Sequence, residues 1–284
     1  LYSFGGVCYM ANKDSDNFMV FQSNQLVRYI RHDMSLQQRQ VYNFLASLIR
    51  KEDEPDTVYT FSAQYMLQEL NMTDGGNNYS DLKSILKYLR DHSQWIRNER
   101  GNLEVISILS TVEFDKEAKE FKIQFHRLVQ PHLFNLVERF TAIPLELVKV
   151  LKCKYSLELN EFLVSFFNEK GQEPLDIEFT LQEIKERINC DFDRWVDIKR
   201  FALDKAIEEI NELSTNMRVS YTPKKEGKRV TRVVFHLVKP TDAEAFSAIK
   251  KIGRRKRENK PADRKRISKT KDMRVKPDME GLPV

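Results

Sequence analysis

The stretch Asp197-Ile198-Lys199-Arg200-Phe201-Ala202-Leu203-Asp204-Lys205-Ala206-Ile207-Glu208-Glu209-Ile210-Asn211 decides how the second half of this chain is read. At 100° per residue, Trp195, Ala202, Leu203, Ala206, Ile210 and Leu213 share one arc, which predicts a helix from about Arg194 to Leu213 with a buried face. Asp197, Arg200, Asp204 and Glu208 fall on the opposite arc, with Lys205 and Arg194 at its edge. Lys199 falls inside the apolar arc and reaches water only by extending along its own stem.

The flanks complete a motif. Upstream, Ser156-Leu157 opens a helix carrying Leu159, Phe162, Leu163 and Phe166, closed by Gly171. Ile177-Glu178-Phe179 reads as a short strand, and Thr180 as an N-cap with Glu183 at the capping-box position. Asp191-Phe192-Asp193 is the turn before the long helix. Either Asp is an expected N-cap rather than a metal ligand, because no third carboxylate has a fixed place beside them. Downstream, Met217–Tyr221 and Val230–Leu237 are strands around the loop from Pro223 to Lys228.

The same order occurs about 120 residues earlier. Ser35-Leu36 opens a helix with Val41, Phe44, Leu45, Leu48 and Ile49. Val58–Phe61 is a strand, Ser62 caps a helix to Leu70, and Asn71–Asn78 is a turn. A helix from Tyr79 to about His92 carries Leu82, Ile85, Leu86 and Leu89. Strand-like runs follow at Trp95–Asn98, Leu103–Leu109 and Phe121–Phe125. Helix, short strand, helix, turn, longer helix and hairpin is the winged helix-turn-helix plan, which lays the longer helix in the major groove and the hairpin on flanking phosphates. The competing reading is that two small α+β units pack together and serve protein contacts, since fold does not dictate function. The expected fold class is α+β, with two tandem winged helices over residues 22–138 and 139–240. They are preceded by an extension (1–21) and followed by a basic flexible tail (241–284).

Charge supports contact with a polyanion. The net charge of +5 conceals an asymmetry: residues 250–284 hold 14 Lys/Arg against 5 Asp/Glu, and the preceding residues 33 against 37. With little apolar periodicity, the tail from Lys250 onward is expected to be disordered and to raise non-specific affinity for nucleic acid. Lys224, Lys225, Lys228, Arg229 and Arg232 surround one turn with Glu226 as the only acid, the pattern of a phosphate clamp. Arg200 has the forked donors that match guanine O6/N7 or a phosphate. Arg200 and Lys205 have a plainer alternative as solvated charges paired with Asp197, Asp204 and Glu208. In the first unit the cations are sparser: Lys83, Lys87 and Arg90 on the helix, Arg97 and Arg100 at the hairpin.

Other classes are disfavoured. Cys8, Cys153 and Cys190 make no disulfide framework and no C-x-x-C pair, as expected of a reducing cytoplasm. The five histidines form no metal motif, and no phosphate-binding loop occurs, so neither a metal, another cofactor nor an enzymatic activity is expected. Leu1–Met10 is apolar but lacks a basic flank and is not expected to act as a signal peptide. No apolar run is long enough for a membrane span.

The quoted helix resembles the signature of iteron-binding replication initiator (Rep) proteins of bacterial theta-replicating plasmids. Their helix, F-K-x-x-V-L-x-x-A-x-x-E-I-N, precedes a basic strand-turn-strand. Lys199 matches its Lys, Leu203 its Leu, Ala206 its Ala, and Glu209-Ile210-Asn211 its E-I-N. Ser156-Leu157 with Glu161-Phe162-Leu163 is similar to the family's S-x-x-x-x-L-Y-E-L-L helix without its Tyr, and Ile198 stands where Phe is common. Asn24–Leu70 resembles the N-terminal winged helix. The resemblance covers residues 22–238 and implies a monomer bound to directly repeated origin DNA. It also implies a dimer, joined through the first unit, that represses its own promoter, with the host replication initiator and replicative helicase as partners. The rivals are a tandem winged-helix transcriptional repressor and a DNA-nicking relaxase, which would need the absent metal-histidine cluster.

Overall fold

The computed structural model describes residues 19–29, 33–72, 76–97, 102–258 and 274–275. Arg100 lies outside them. The first unit runs β1 (Met19–Ser23), α1 (Asn24–Tyr29), α2 (Leu36–Ser47), β2 (Val58–Ser62), α3 (Ala63–Glu69) and α4 (Gly76–Asp91). The hairpin β3 (Ser93–Arg97) and β4 (Leu103–Ser107) follows, then β5 (Leu109–Asp115), β6 (Glu120–Phe125) and β7 (Phe140–Pro144). Next come α5 (Leu145–Val150), α6 (Lys154–Glu169), β8 (Leu175–Thr180), α7 (Leu181–Arg187) and α8 (Trp195–Asp197). A π-helical stretch, Ile198–Leu203, joins α8 to α9 (Asp204–Leu213), and β9 (Arg218–Glu226), β10 (Arg229–Val238), α10 (Asp242–Glu258) and β11 (Arg274–Val275) complete the chain.

Local chemistry sets the helix starts. The Ser35 hydroxyl accepts from the Gln38 N–H while the Gln38 side chain accepts from the Ser35 N–H. Thr180 and Glu183 repeat this reciprocal box in the second unit, and Ser62 caps α3 through the Tyr65 N–H. Each box satisfies N–H groups that a helix leaves without internal partners. Both units then follow the expected helix-strand-helix-helix-hairpin order. The run Leu103–Leu109 divides at Ile108 into β4 and β5, and β5 pairs with β6, which pairs with β2. In the second unit the sheet order is β8-β10-β9.

Two pairings join distant sequence. β1 lies antiparallel to β7, with Met19 opposite Pro144 and Ser23 opposite Phe140. The first core therefore extends past residue 138: it takes in Ile143, Leu145, Val148, Val150, Leu157 and even Leu213 of α9. The second core gathers Leu159, Leu163 and Phe167 of α6 with Ile198, Ala206, Ile210, Val233 and Phe235. α6 is shared, and Tyr155 to Ser165 are all buried.

A helix buried on all sides must satisfy its polar residues internally. Glu161 does so through Arg39 of α2, whose Nη2 pairs with Glu161 Oε2, while Glu158 is met by ion pairing, Arg39 Nε lying 3.2 Å from its Oε1. Arg187 of α7 approaches Glu158 at 3.6 Å from the other side. Glu161 Oε1 also accepts from Asn43, whose Oδ1 accepts from Gln22 of β1, and Tyr42 donates to the same Gln22. Burial works to lower the Arg39 pKa, but the two carboxylates outweigh it and hold the guanidinium above its ordinary value. Burial raises Glu161, with Arg39 opposing.

The tail expectation needs correcting at its start. Residues 242–258, placed at the head of a flexible segment, form α10. Ala248 is buried and Ile252 packs on the first core, while Thr241 caps the helix through the Glu244 N–H. So small an apolar stripe gave no periodic signal. The rest of the contact is made by charged residues in pairs, such as Arg255 with Glu209 and Glu212. Arg274–Val275 lies antiparallel to β2; the remainder of 259–284 is outside the described residues.

Arg39→Ala strands Glu158 and Glu161 in the interior and is expected to cost about 3–5 kcal/mol. The urea midpoint falls accordingly, and the joint change Arg39→Met with Glu161→Leu costs less. A chain ending after Pro240 is expected to unfold at a lower temperature than one ending after Glu258; calorimetry on the two chains distinguishes a docked α10 from an idle one.

Candidate nucleic-acid interface

The second unit presents a helix-turn-helix, α7 followed by α8–α9, beside the hairpin β9–β10. The N-cap of α8 is Arg194, not Asp191 or Asp193, and Asp193 instead accepts from Lys185 at 3.1 Å. Among the described residues no group of three His, Cys, Asp or Glu could hold a metal ion.

The π stretch changes the helix register. A π turn carries one residue more than an α turn, so side chains advance by less than 100° each across it. Ile198 thereby points inward beside Ala202, both at 0% exposure, and Lys199, expected in the apolar arc, stands in water. Its Nζ pairs with Asp204 Oδ2 at 2.6 Å, and Tyr221 donates to Asp204 Oδ1 at 2.6 Å. Burial tends to raise the Asp204 pKa, yet Lys199 and Tyr221 prevail and hold it below the usual carboxylate range. Arg194 Nε likewise pairs with Asp197 at 2.6 Å.

The pairing with Asp197 and Asp204, the plainer alternative for Arg200 and Lys205, is thus made by Arg194 and Lys199. Arg200 and Lys205 are exposed, with no carboxylate within ion-pair distance among the described residues. They flank Phe201: Arg200 Cζ lies 5.2 Å from its ring centroid and Lys205 Nζ 5.6 Å. Phe201 is itself exposed and rests near Phe192 at 5.7 Å. Val196, one turn before Arg200, is 67% exposed. These two apolar side chains escaped the sequence reading, although an apolar residue outside the core arc was the available signal. They suit contact with a thymine methyl.

The hairpin tip turns at Gly227, whose φ of +62° is a conformation glycine adopts at no steric cost. Its five cations divide in two. Lys224 and Arg232, adjacent across the strands, both pair with Glu178 of β8. Lys225, Lys228 and Arg229 are exposed at the tip, without an acidic partner among the described residues. This gives a free cationic tip on a braced stem.

In the first unit Lys83 lies over the Phe114 ring at 4.1 Å, and Lys87 is exposed on α4. Arg97 ends β3, opposite Leu103; its side chain lies outside the described residues. The structure brings Arg194, Lys199, Arg200 and Lys205 together on one helix and Lys224 to Arg232 on one hairpin. Lys83, Lys87 and Arg97 belong to the other unit.

The E-I-N triplet proves architectural. Glu209 accepts from the Lys152 and Cys153 N–H groups, both at 3.0 Å, and so satisfies the start of α6. Ile210 is 1% exposed. Asn211 donates to the Val219 carbonyl at 2.7 Å and accepts from the Val219 N–H at 2.8 Å, pinning β9 to α9.

Two tandem winged helices with a cationic helix face and wing define a nucleic-acid-binding architecture. The family model described as "Initiator Replication protein, WH1" matches residues 19–164, and "Initiator Rep protein, WH2" matches residues 180–237. The chain belongs to this family: it is a replication initiator built from two winged helices. Among solved structures, the Pi initiator protein in complex with iteron DNA superposes with a TM-score of 0.63 at 20% identity, covering 80% of this chain and 100% of that one. A structure of domains 2 and 3 of RctB matches with a TM-score of 0.42 at 10% identity, over 74% of this chain and 84% of that one.

Asn211→Ala removes both bonds to Val219 and is expected to lower stability by about 1–3 kcal/mol. Chemical denaturation followed by circular dichroism measures this loss.

Proposed function

We propose that this chain starts plasmid replication by binding directly repeated double-stranded origin DNA, the iterons, as a monomer. The second unit makes the principal contacts, with Arg200 reading base edges beside Lys205. Arg194 and Lys199 line the same helix, and Lys225, Lys228 and Arg229 reach the phosphates, with Lys224 and Arg232 behind them. Lys83, Lys87 and Arg97 of the first unit add auxiliary contacts. A dimer joined through the first unit would repress the chain's own promoter, and the host initiator and replicative helicase would be its partners at the opened origin. The role requires no catalytic group and no cofactor.

The observation that carries this reading is the division of charges. Asp197 and Asp204 are each neutralised by a neighbouring cation, while Arg200, Lys205 and the wing tip keep theirs free. A helix bearing such acids can then meet a polyanion without net repulsion. Membership of the initiator family supports the role, and the described residues include no helix long and apolar enough to cross a membrane.

Footprinting on DNA flanking the encoding gene tests the reading: several protected direct repeats are expected, and a single protected inverted repeat would make the chain a repressor instead. Lys228→Ala with Arg229→Ala is expected to weaken binding to every duplex and to shrink the slope of log affinity against log salt by about 2. Arg200→Ala is expected to cost about 1–3 kcal/mol on the repeat and little on random DNA. Equal losses on both duplexes would reduce Arg200 to a phosphate contact.

A further inference from the structure

The C-terminal helix touches both units, and its strongest contacts end on the helix that carries Arg200. Arg255 Nη1 donates to Glu209 Oε1 at 2.6 Å and to the Val150 carbonyl at 3.3 Å, while Nη2 donates to Glu212 Oε2 at 2.7 Å. The Arg255 and Glu209 side chains are only 19% and 10% exposed. Partial desolvation strengthens such charge-assisted bonds, and a planar fork fixes direction as well as distance.

Glu209 is the junction. Its Oε1 also accepts from the Lys152 N–H and its Oε2 from the Cys153 N–H, so one carboxylate ties α10, α9 and the start of α6. The strap continues on both sides. Lys256 pairs with Glu146 of α5, and Lys251 lies 3.9 Å from Glu212. At the other end of α10, Glu244 faces Arg218 of β9 at 3.7 Å. Ile252 meanwhile packs on the first core. α10 thus grips α5 on one unit and α9 with β9 on the other.

We propose that α10 sets the angle between the two winged helices, with Arg255 as the positioning residue acting through Glu209 and Glu212. The chain thereby admits only DNA whose two contacted segments have one separation and one helical phase. The geometric part stands on the contacts alone; the selection of DNA spacing rests on the origin-binding reading above. One inserted base pair displaces the second segment by about 3.4 Å and rotates it by about 35°. A rigid clamp loses one of the two contacts on such DNA and with it the gain from linked binding. A loosened clamp follows the displaced segment.

The test uses the full chain with Arg255→Ala, and Glu212→Gln as a milder variant in case the first fails to fold. Pulsed dipolar spectroscopy reads the distance between spin labels at Lys87→Cys and Ser220→Cys, with Cys8, Cys153 and Cys190 replaced by Ala. A single narrow distance is expected for the parent and a broadened distribution for either variant. Titration of unlabelled protein then compares a repeat from the gene-flanking DNA with the same duplex carrying one central inserted base pair. The parent is expected to prefer the uninterrupted repeat by about tenfold, and Arg255→Ala to narrow this to about twofold, the signature of lost rigidity rather than lost contacts. A merely stabilising role for Arg255 would lower the melting temperature and leave both the distances and the preference unchanged, which would overturn the proposal. If the parent itself showed no preference for the repeat over random DNA, the origin-binding reading would fail, while the label distances would still decide whether α10 sets the angle.

Discussion

The contact between Arg39 and the paired carboxylates Glu158 and Glu161 holds the rest of the structure in place. It lies at the meeting of α2, α6 and α7, where Arg39 is 1% and Glu161 0% exposed. Removing these ions from water is expensive, and only mutual pairing makes the arrangement tolerable. A buried pair also fixes geometry, because any sliding of α2 along α6 would leave a charge without its partner. Asn43, Gln22 and Tyr42 extend that constraint to β1, and Arg187 extends it to α7, the first helix of the helix-turn-helix. α6 therefore acts as a spine shared by both cores.

On this frame the second unit sorts its charges by burial and neighbourhood. Two acids on the α8–α9 surface are answered locally, Asp197 by Arg194 and Asp204 by Lys199 and Tyr221, while Glu208 is exposed with no ion pair among the described residues. Glu178 steadies the wing stem and leaves the tip free. The π stretch makes this possible, since it moves Lys199 out of the apolar arc to where Asp204 can take it. Its extra residue also lets Ile198 enter the core beside Ala202. Irregular helical turns of this kind are frequent at functional sites.

Much of this was legible in the residues. Ser35, Ser62 and Thr180 marked helix starts because capping is decided within four residues. The arc Ala202, Leu203, Ala206, Ile210 and Leu213 marked the buried face, and five cations around Gly227 marked the wing. Phe201 was missed because an aromatic residue in a helix is ordinarily assigned to the core. The E-I-N triplet matched a signature but disclosed no role, since Glu209 and Asn211 act on Lys152, Cys153 and Val219, which only the folded chain brings near.

The sequence by itself determined the two-unit plan, the helix and hairpin order and the side of α8–α9 that faces water. These follow from periodicity, capping and turn chemistry, all of which act over a few residues. Tertiary structure alone decided the β1–β7 pairing, the continuation of the first core to Leu157 and Leu213, the docking of α10, and which cations remain free. The first three depend on contacts between residues tens of positions apart or more, and the last on which neighbour along the helix a carboxylate reaches once the helix is packed. Arg194 and Arg200, Lys199 and Lys205 are alike in type, and only the packed geometry decides which of them a neighbouring carboxylate reaches.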